Sequence, residues 1–174
     1  LGRLSEARAA AERALSVAND DRQRFAANTE IGRIAIAEGD LARAKTAFEA
    51  QMPWLRQRVQ QTPTEDARQD LIVALNNLGD VLTRQGNPNG AYAAYREALG
   101  ETLELRRTNP DSVLLLVGVT ISNDRIGDLF YAHGMYDRAG PIFQENLETR
   151  RGLLARFPSE REHKLNLAAS FERI

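Results

Sequence analysis

The feature that most constrains this chain is a glycine that returns at almost constant spacing. Three segments align on it without gaps: Asn28-Thr29-Glu30-Ile31-Gly32, Asn76-Asn77-Leu78-Gly79-Asp80 and Asp124-Arg125-Ile126-Gly127-Asp128. The intervals between the glycines are 47 and 48 residues. Seven residues after each stands a second glycine, Gly39, Gly86 and Gly134. Five further on comes Ala44, Ala91 or Ala139, and four beyond that Phe48, Tyr95 or Phe143. Pro63, Pro110 and Pro158 repeat with the same period. Self-similarity at a fixed period of this size is the mark of stacked supersecondary units.

The order Leu-Gly, an apolar residue three positions on, then Ala-x-x-x-aromatic resembles the tetratricopeptide repeat, a helix–turn–helix unit of about 34 residues. The resemblance covers essentially the whole chain. It departs from the family pattern where a tryptophan usually opens the first helix; Asn28, Leu75 and Asn123 stand nearest that position. The period is also longer by about 14 residues, close to four helical turns, so roughly two extra turns per helix keep both apolar stripes in phase. Long repeats of this kind are similar to those of the kinesin light chain and of bacterial tetratricopeptide arrays.

The resemblance implies an all-α fold, a right-handed α-solenoid of antiparallel helix pairs. Whole repeats are expected at 19–63, 64–110 and 111–158. Half repeats flank them, a second helix at 1–18 and a first helix at 159–174, and the array is expected to continue in a longer protein. Gly32, Gly79 and Gly127 should permit close helix approach, with Ala44, Ala91 and Ala139 as the small residues facing them. Gly39, Gly86 and Gly134 suit the left-handed position that ends a helix. Asp40 and Asn87 then read as caps of the second helices, with Pro88 at a first helical position, and Ser159 with Glu162 as a capping box. Pro53 should kink its helix or end it early, and Pro141 should bend its helix more mildly. Asn89-Gly90 weakens a helix start.

In the family, first helices line a concave groove. By resemblance, the groove positions are Ala26, Thr29, Arg33, Ile36 and Ala37 in the first whole repeat. In the second they are Val73, Asn76, Asp80, Thr83 and Arg84, and in the third Ile121, Asp124, Asp128, Tyr131 and Ala132. Asn77 and Arg125 reach the groove edge. A polar set of mixed charge suits an extended peptide or a helix bearing both signs; the bland alternative is a solvated, unused face. Family members that grip a C-terminal carboxylate use a lysine–asparagine–arginine clamp. Asn77 and Arg125 fall on two of its five positions, whereas Thr29, Arg33 and Ile121 occupy the others, so chaperone-tail binding is not expected.

Other chemistry finds little support. The chain has no cysteine, which excludes disulfides and thiolate metal sites. Its net charge of −1 argues against nucleic acid or an anionic membrane as partner. The most apolar run, Val113 to Ile121, is interrupted by Gly118 and is too short to span a bilayer. Asp124 and Asp128, one turn apart, could hold a cation or a basic side chain, and an arginine partner is the expected one. His133, just before Gly134, reads as structural, placed to favour the helix dipole. Trp54 reads as packed in the core against the next repeat. Arg106-Arg107 and Arg150-Arg151 near helix ends should pair with Glu104 and Glu148. No nucleophile–base pair and no phosphate-cradling loop is present, so neither catalysis nor a cofactor is expected. All basic residues except Lys45 and Lys164 are arginine, a bias pointing to a bacterial source, and the cytoplasm is the expected compartment. The expected work is protein binding by a scaffold; the alternative is head-to-tail self-association through the half repeats.

Overall fold

The computed structural model describes residues 2–171 and 173, and among them every regular element is helical. The order is α1 (Gly2–Ser16), α2 (Asp21–Glu38), α3 (Leu41–Glu49), α4 (Met52–Gln61), α5 (Glu65–Arg84), α6 (Pro88–Thr108), α7 (Val113–Ala132), α8 (Tyr136–Arg156) and α9 (Arg161–Phe171). The chain divides into two compact units, Leu1–Glu101 and Thr102–Ile174. In the first, Phe48, Leu55, Leu71, Leu75 and Val81 are fully buried. Ala11, Ile31, Ile34 and Ala47 close one end of that core, with Ala7 and Leu15 packed against them. In the second, Leu115, Ile126, Leu129, Phe143, Leu147 and Leu153 form the interior. The fold is all-α and built from antiparallel helix pairs.

Local sequence explains where the helices start and stop. Asp20, Thr64 and Ser112 cap α2, α5 and α7 by accepting from Gln23 N (2.7 Å), Ala67 N (3.3 Å) and Leu115 N (3.3 Å). Asp40 and Asn87 do the same for the second helices, accepting from Arg43 N (2.9 Å) and Gly90 N (3.0 Å). Each satisfies an amide that has no partner inside its helix.

At the other end, three turns are built alike. Gly39 N donates to Ile36 O and Asp40 N to Ala35 O; Gly86 N to Thr83 O and Asn87 N to Leu82 O; Gly134 N to Tyr131 O and Met135 N to Phe130 O. This pair of bonds is the Schellman closure, which needs a left-handed residue. The three glycines have φ of 81°, 70° and 72°. His133 precedes the third of them and places Nδ1 2.8 Å from Leu129 O in the same last turn.

The structure adds to one expectation and corrects three others. The atoms nearest Gly32, Gly79 and Gly127 belong to aromatic rings. A Cβ at position 32 would lie 2.5–2.9 Å from Phe48 ring atoms, and Cβ atoms at 79 and 127 would overlap Tyr95 and Phe143 in the same way. Ala44, Ala91 and Ala139 are fully buried.

The capping box at Ser159 and Glu162 is displaced. Because α9 opens at Arg161 and Lys164 N bonds Glu160 O at 3.4 Å, Glu160 holds the cap position. Trp54 packs on Phe25 of its own repeat, with ring centroids 6.0 Å apart, and Arg58 lies 5.5 Å from the Trp54 ring. Arg150 does not pair with Glu148; that partner goes to Arg151 at 2.8 Å, while Arg150 is buried.

The prolines divide as their positions dictate. Around Pro53 the expected second helix is broken into α3 and α4, since proline lacks an amide hydrogen and crowds the carbonyl four residues back. Buried Gln51 bridges the break by donating Nε2 to Ala47 O at 3.1 Å. Pro141 sits within the first two turns of α8, which runs unbroken from Tyr136 to Arg156.

Candidate functional site

In the first unit, the inward faces of α2 and α5 are apolar and buried: Ala27, Ile31, Ile34 and Ala35 on one, Ala67, Leu71, Ala74, Leu75, Leu78, Val81 and Leu82 on the other. The expected groove residues occupy what remains. Arg33, Thr83 and Arg84 are exposed, and Thr29, Asn76, Asn77 and Asp80 are half-buried. Val73 is also exposed, at 50%.

Several of these side chains are already engaged. Thr29 donates its hydroxyl to Gln51 Oε1 at 3.3 Å, which ties α2 to the break between α3 and α4. Asp80 Oδ1 accepts from the Tyr95 hydroxyl at 2.8 Å. Thr83 Oγ1 lies 3.2 Å from the same hydroxyl and donates to Gly79 O at 2.9 Å. The Asn76 Oδ1 is shielded from solvent and has no hydrogen-bond partner among the described residues.

The second unit treats its four candidates differently. Asp124 is 9% exposed. Its Oδ2 accepts from Arg150 Nη2 at 2.6 Å, and its Oδ1 accepts from Asn146 Nδ2 at 2.8 Å. Asn146 also donates to Thr120 O at 2.8 Å, and Arg150 Nη1 donates to Ser170 Oγ at 2.7 Å. This buried polar cluster joins α7, α8 and α9, so Asp124 is a structural group and offers little surface to a partner. Arg125 is half-buried, whereas Asp128 and Tyr131 are exposed.

Asp128 receives Arg173, whose Nε and Nη2 donate to its two oxygens at 2.8 and 3.1 Å. Arg173 also lies 3.9 Å from Asp124, so the two aspartates share one arginine of their own chain. Tyr131 meets Tyr136 edge to face at 5.1 Å, and with Phe143 and Arg173 they line a hollow of about 190 Å³.

Of the buried cluster only Asp124 belongs to the expected site; Thr120, Asn146, Arg150 and Ser170 do not. Their signal lies in α8, where Phe143, Asn146, Leu147, Arg150 and Leu153 follow a helical stripe that is buried throughout. Two polar residues inside such a stripe must find polar partners.

Elsewhere on the first unit, Arg56 holds Glu97 through two bonds of 2.7 Å. The hydrogen bond from Arg56 to Glu97 raises the guanidinium pKa further above its ordinary value, against the opposing effect of partial burial. Among the described residues no group of three His, Asp or Glu side chains is placed to hold a metal ion. No described helix is long and apolar enough to cross a membrane.

Residues 72–102, which contain the Gly79–Tyr95 contact, match the family model of the tetratricopeptide repeat. Comparison of the sequence with curated proteins finds no match. Among solved structures, BtubC (BKLC) from P. vanneervenii is 16% identical, with a TM-score of 0.41, covering 98% of this chain and 84% of that one. The DHF79 filament is 17% identical, with a TM-score of 0.38 and coverage of 98% and 97%. The de novo designed helical repeat protein DHR64 is 15% identical, with a TM-score of 0.36 and coverage of 98% and 89%. One repeat is matched by the family model of the tetratricopeptide repeat, and the same glycine–aromatic contact and Schellman turn recur in the other two helix pairs, so the chain is a helical repeat protein.

Proposed function

We propose that the chain is a protein-binding scaffold, and that the outward faces of its first helices recognise a peptide or helix bearing both charge signs. The observation that carries this reading is the division of α2 and α5 into two faces. One face is fully apolar and buried, and the other presents Thr29, Arg33, Asn76, Asn77, Asp80, Thr83 and Arg84. On α7 the surface available to a partner is Asp128 and Tyr131, with Arg125 at the edge and Asp124 beneath. Side chains of both signs favour a partner with complementary charges in a fixed register, since charge complementarity selects partners more than it adds affinity.

Arg33 and Arg84 give the cleanest test, because both are exposed and neither enters the buried core. Wild type and the Arg33→Glu/Arg84→Glu variant would be used side by side to capture partners from a native lysate, with far-ultraviolet circular dichroism as the folding control. The reading requires a partner that wild type retains and the variant loses. Retention of the same partner by both would move binding away from α2 and α5.

Head-to-tail association is the second reading. An apolar trough of about 680 Å³ between α1 and α2, floored by Ala7, Ala11, Ala14 and Ala26, favours it. Leu165 and Phe171 on α9 are 58% and 56% exposed. A mass that rises with protein concentration in sedimentation would support it, and a monomer at all concentrations would remove it.

A further inference from the structure

One hydrogen bond ties the break between α3 and α4 to the surface proposed for binding. Gln51 N turns to Phe48 O at 3.3 Å, three residues back, and Pro53 has no amide hydrogen to offer. In a continuous helix the Gln51 amide would have bonded Ala47 O. The Gln51 side chain takes that carbonyl instead, with Nε2 donating to it at 3.1 Å. Its other end, Oε1, accepts from the Thr29 hydroxyl of α2 at 3.3 Å. Gln51 is 3% exposed, so water does not compete for either end. A single side chain thus replaces a backbone bond of α3 and rests on α2.

The other two helix pairs are built without this break. α6 and α8 run unbroken through the positions of Pro53, which hold Gly100 and Glu148. At the positions of Gln51 stand Ala98, whose side chain has no polar atom, and Asn146, which serves Thr120 O and Asp124 inside the buried cluster.

The Thr29 hydroxyl has one proton to donate. Arg33 stands one turn further along the same face of α2 and is exposed. A partner carboxylate drawn to Arg33 would offer Thr29 a charged acceptor, which binds a donor more strongly than the amide oxygen of Gln51 does. Once that proton is taken, Gln51 Oε1 is left buried without its donor.

We infer that the α3–α4 junction is a hinge latched from the binding surface: Thr29 holds Gln51 and with it the start of α4, and a partner carboxylate seated on Arg33 and Thr29 releases it. The inference rests on reading α2 as a binding surface, and it adds a regulation to that surface. Because both events draw on one proton, carboxylate binding and loosening of the hinge favour each other equally.

The test is amide hydrogen exchange in the full chain, read at Leu55, whose amide closes the first turn of α4 on Gln51 O at 3.1 Å. Trp54, the one tryptophan of the chain, packs against Phe25 of α2 and reports the same turn by fluorescence. Thr29→Val keeps the shape of the side chain and removes the donor. It should raise exchange at Leu55 about two- to tenfold, the worth of one net hydrogen bond, and make Trp54 easier to quench with acrylamide. Thr29→Ser keeps the hydroxyl and should behave as wild type. Leu75, fully buried in α5, should exchange alike in all three proteins, which separates a loosened hinge from general destabilisation. Equal exchange at Leu55 in wild type and Thr29→Val would overturn the latch.

Acetate, titrated against chloride at equal ionic strength, probes the release. It should shift the Arg33 side-chain resonances and raise Leu55 exchange in wild type but not in Thr29→Val. An Arg33 signal that does not respond would overturn the carboxylate seat, and one that responds while Leu55 does not would overturn the coupling. These readouts need no partner protein, so they hold or fail separately from the binding reading, which fails instead if Arg33→Glu/Arg84→Glu keeps its partner.

Discussion

Arg150 on α8 donates Nη2 to the Oδ2 of Asp124 on α7 at 2.6 Å, with side chains only 5% and 12% exposed. Two charges withdrawn from water are costly to bury, and they persist because Asn146, Thr120 and Ser170 bond the carboxylate and both terminal nitrogens of the guanidinium, leaving Arg150 Nε without a partner among the described residues. Removing one partner strands the other. Arg150→Ala should therefore destabilise the second unit by about 3–5 kcal/mol, read by urea unfolding. The paired Asp124→Leu/Arg150→Met variant should lose far less, and equal losses in both would contradict the argument.

The glycine–aromatic contact predicts a rescue. Gly79→Ala places a methyl group inside the space of the Tyr95 ring. Overpacking of that kind costs about 1–3 kcal/mol, only partly offset by the roughly 1 kcal/mol that alanine gains over glycine within a helix. In a Tyr95→Leu background the clash is gone, so Gly79→Ala should become neutral or stabilising. A thermal-unfolding double-mutant cycle measures the difference, and additivity would exclude direct contact.

Gly86 makes a different demand. A Cβ there would meet nothing within 4 Å, but its φ is +70°. Gly86→Ala should cost about 1–2 kcal/mol through backbone strain alone. Gly86→Asn should cost less, because asparagine tolerates the left-handed region better. Equal losses for the two variants would point to a packing cause instead.

The pair between Arg56 and Glu97 is partly exposed, at 48% and 34% of the side chains. Glu97→Gln should cost less than about 1 kcal/mol, and added salt should shrink the difference. The folded-state pKa of Arg56 is raised. Its contribution is therefore complete below the ordinary arginine value and lost only as pH rises through the raised one. Stability attributable to this pair should be flat across roughly pH 6–9, checked by urea midpoints at several pH values. A loss of the difference between wild type and Glu97→Gln inside that window would contradict the assignment.

Some features of the fold were legible because they are local. Asp40 and Asn87 cap helices by reaching amides three residues away, and Gly39, Gly86 and Gly134 close helices within one turn. Pro53 breaks a helix by an interaction confined to its own turn. Ser159 was misplaced by one residue, since neighbouring polar side chains compete for a cap and the sequence does not rank them.

The candidate site was less legible. The repeat places Asp80 and Asp128 at the same position, one residue after the motif glycine, and Asp124 one turn earlier on the same face. In the structure Asp80 takes the Tyr95 hydroxyl, Asp124 is sealed by Arg150, and Asp128 takes Arg173. Those partners lie 15, 26 and 45 residues away, on α6, on α8 and just past the end of α9, and periodicity does not report which side chain a neighbouring segment will offer.

The sequence by itself determined the repeat, the helix pairing and the glycine turns, because these follow from backbone conformational preference and from bonds closed within a few residues. Only the tertiary structure decided that the rings of Phe48, Tyr95 and Phe143 lie on the glycines, and that one groove-position aspartate is buried while two reach the surface. Those outcomes depend on side-chain length and on the atoms that packed helices bring together, which the period of a repeat leaves open.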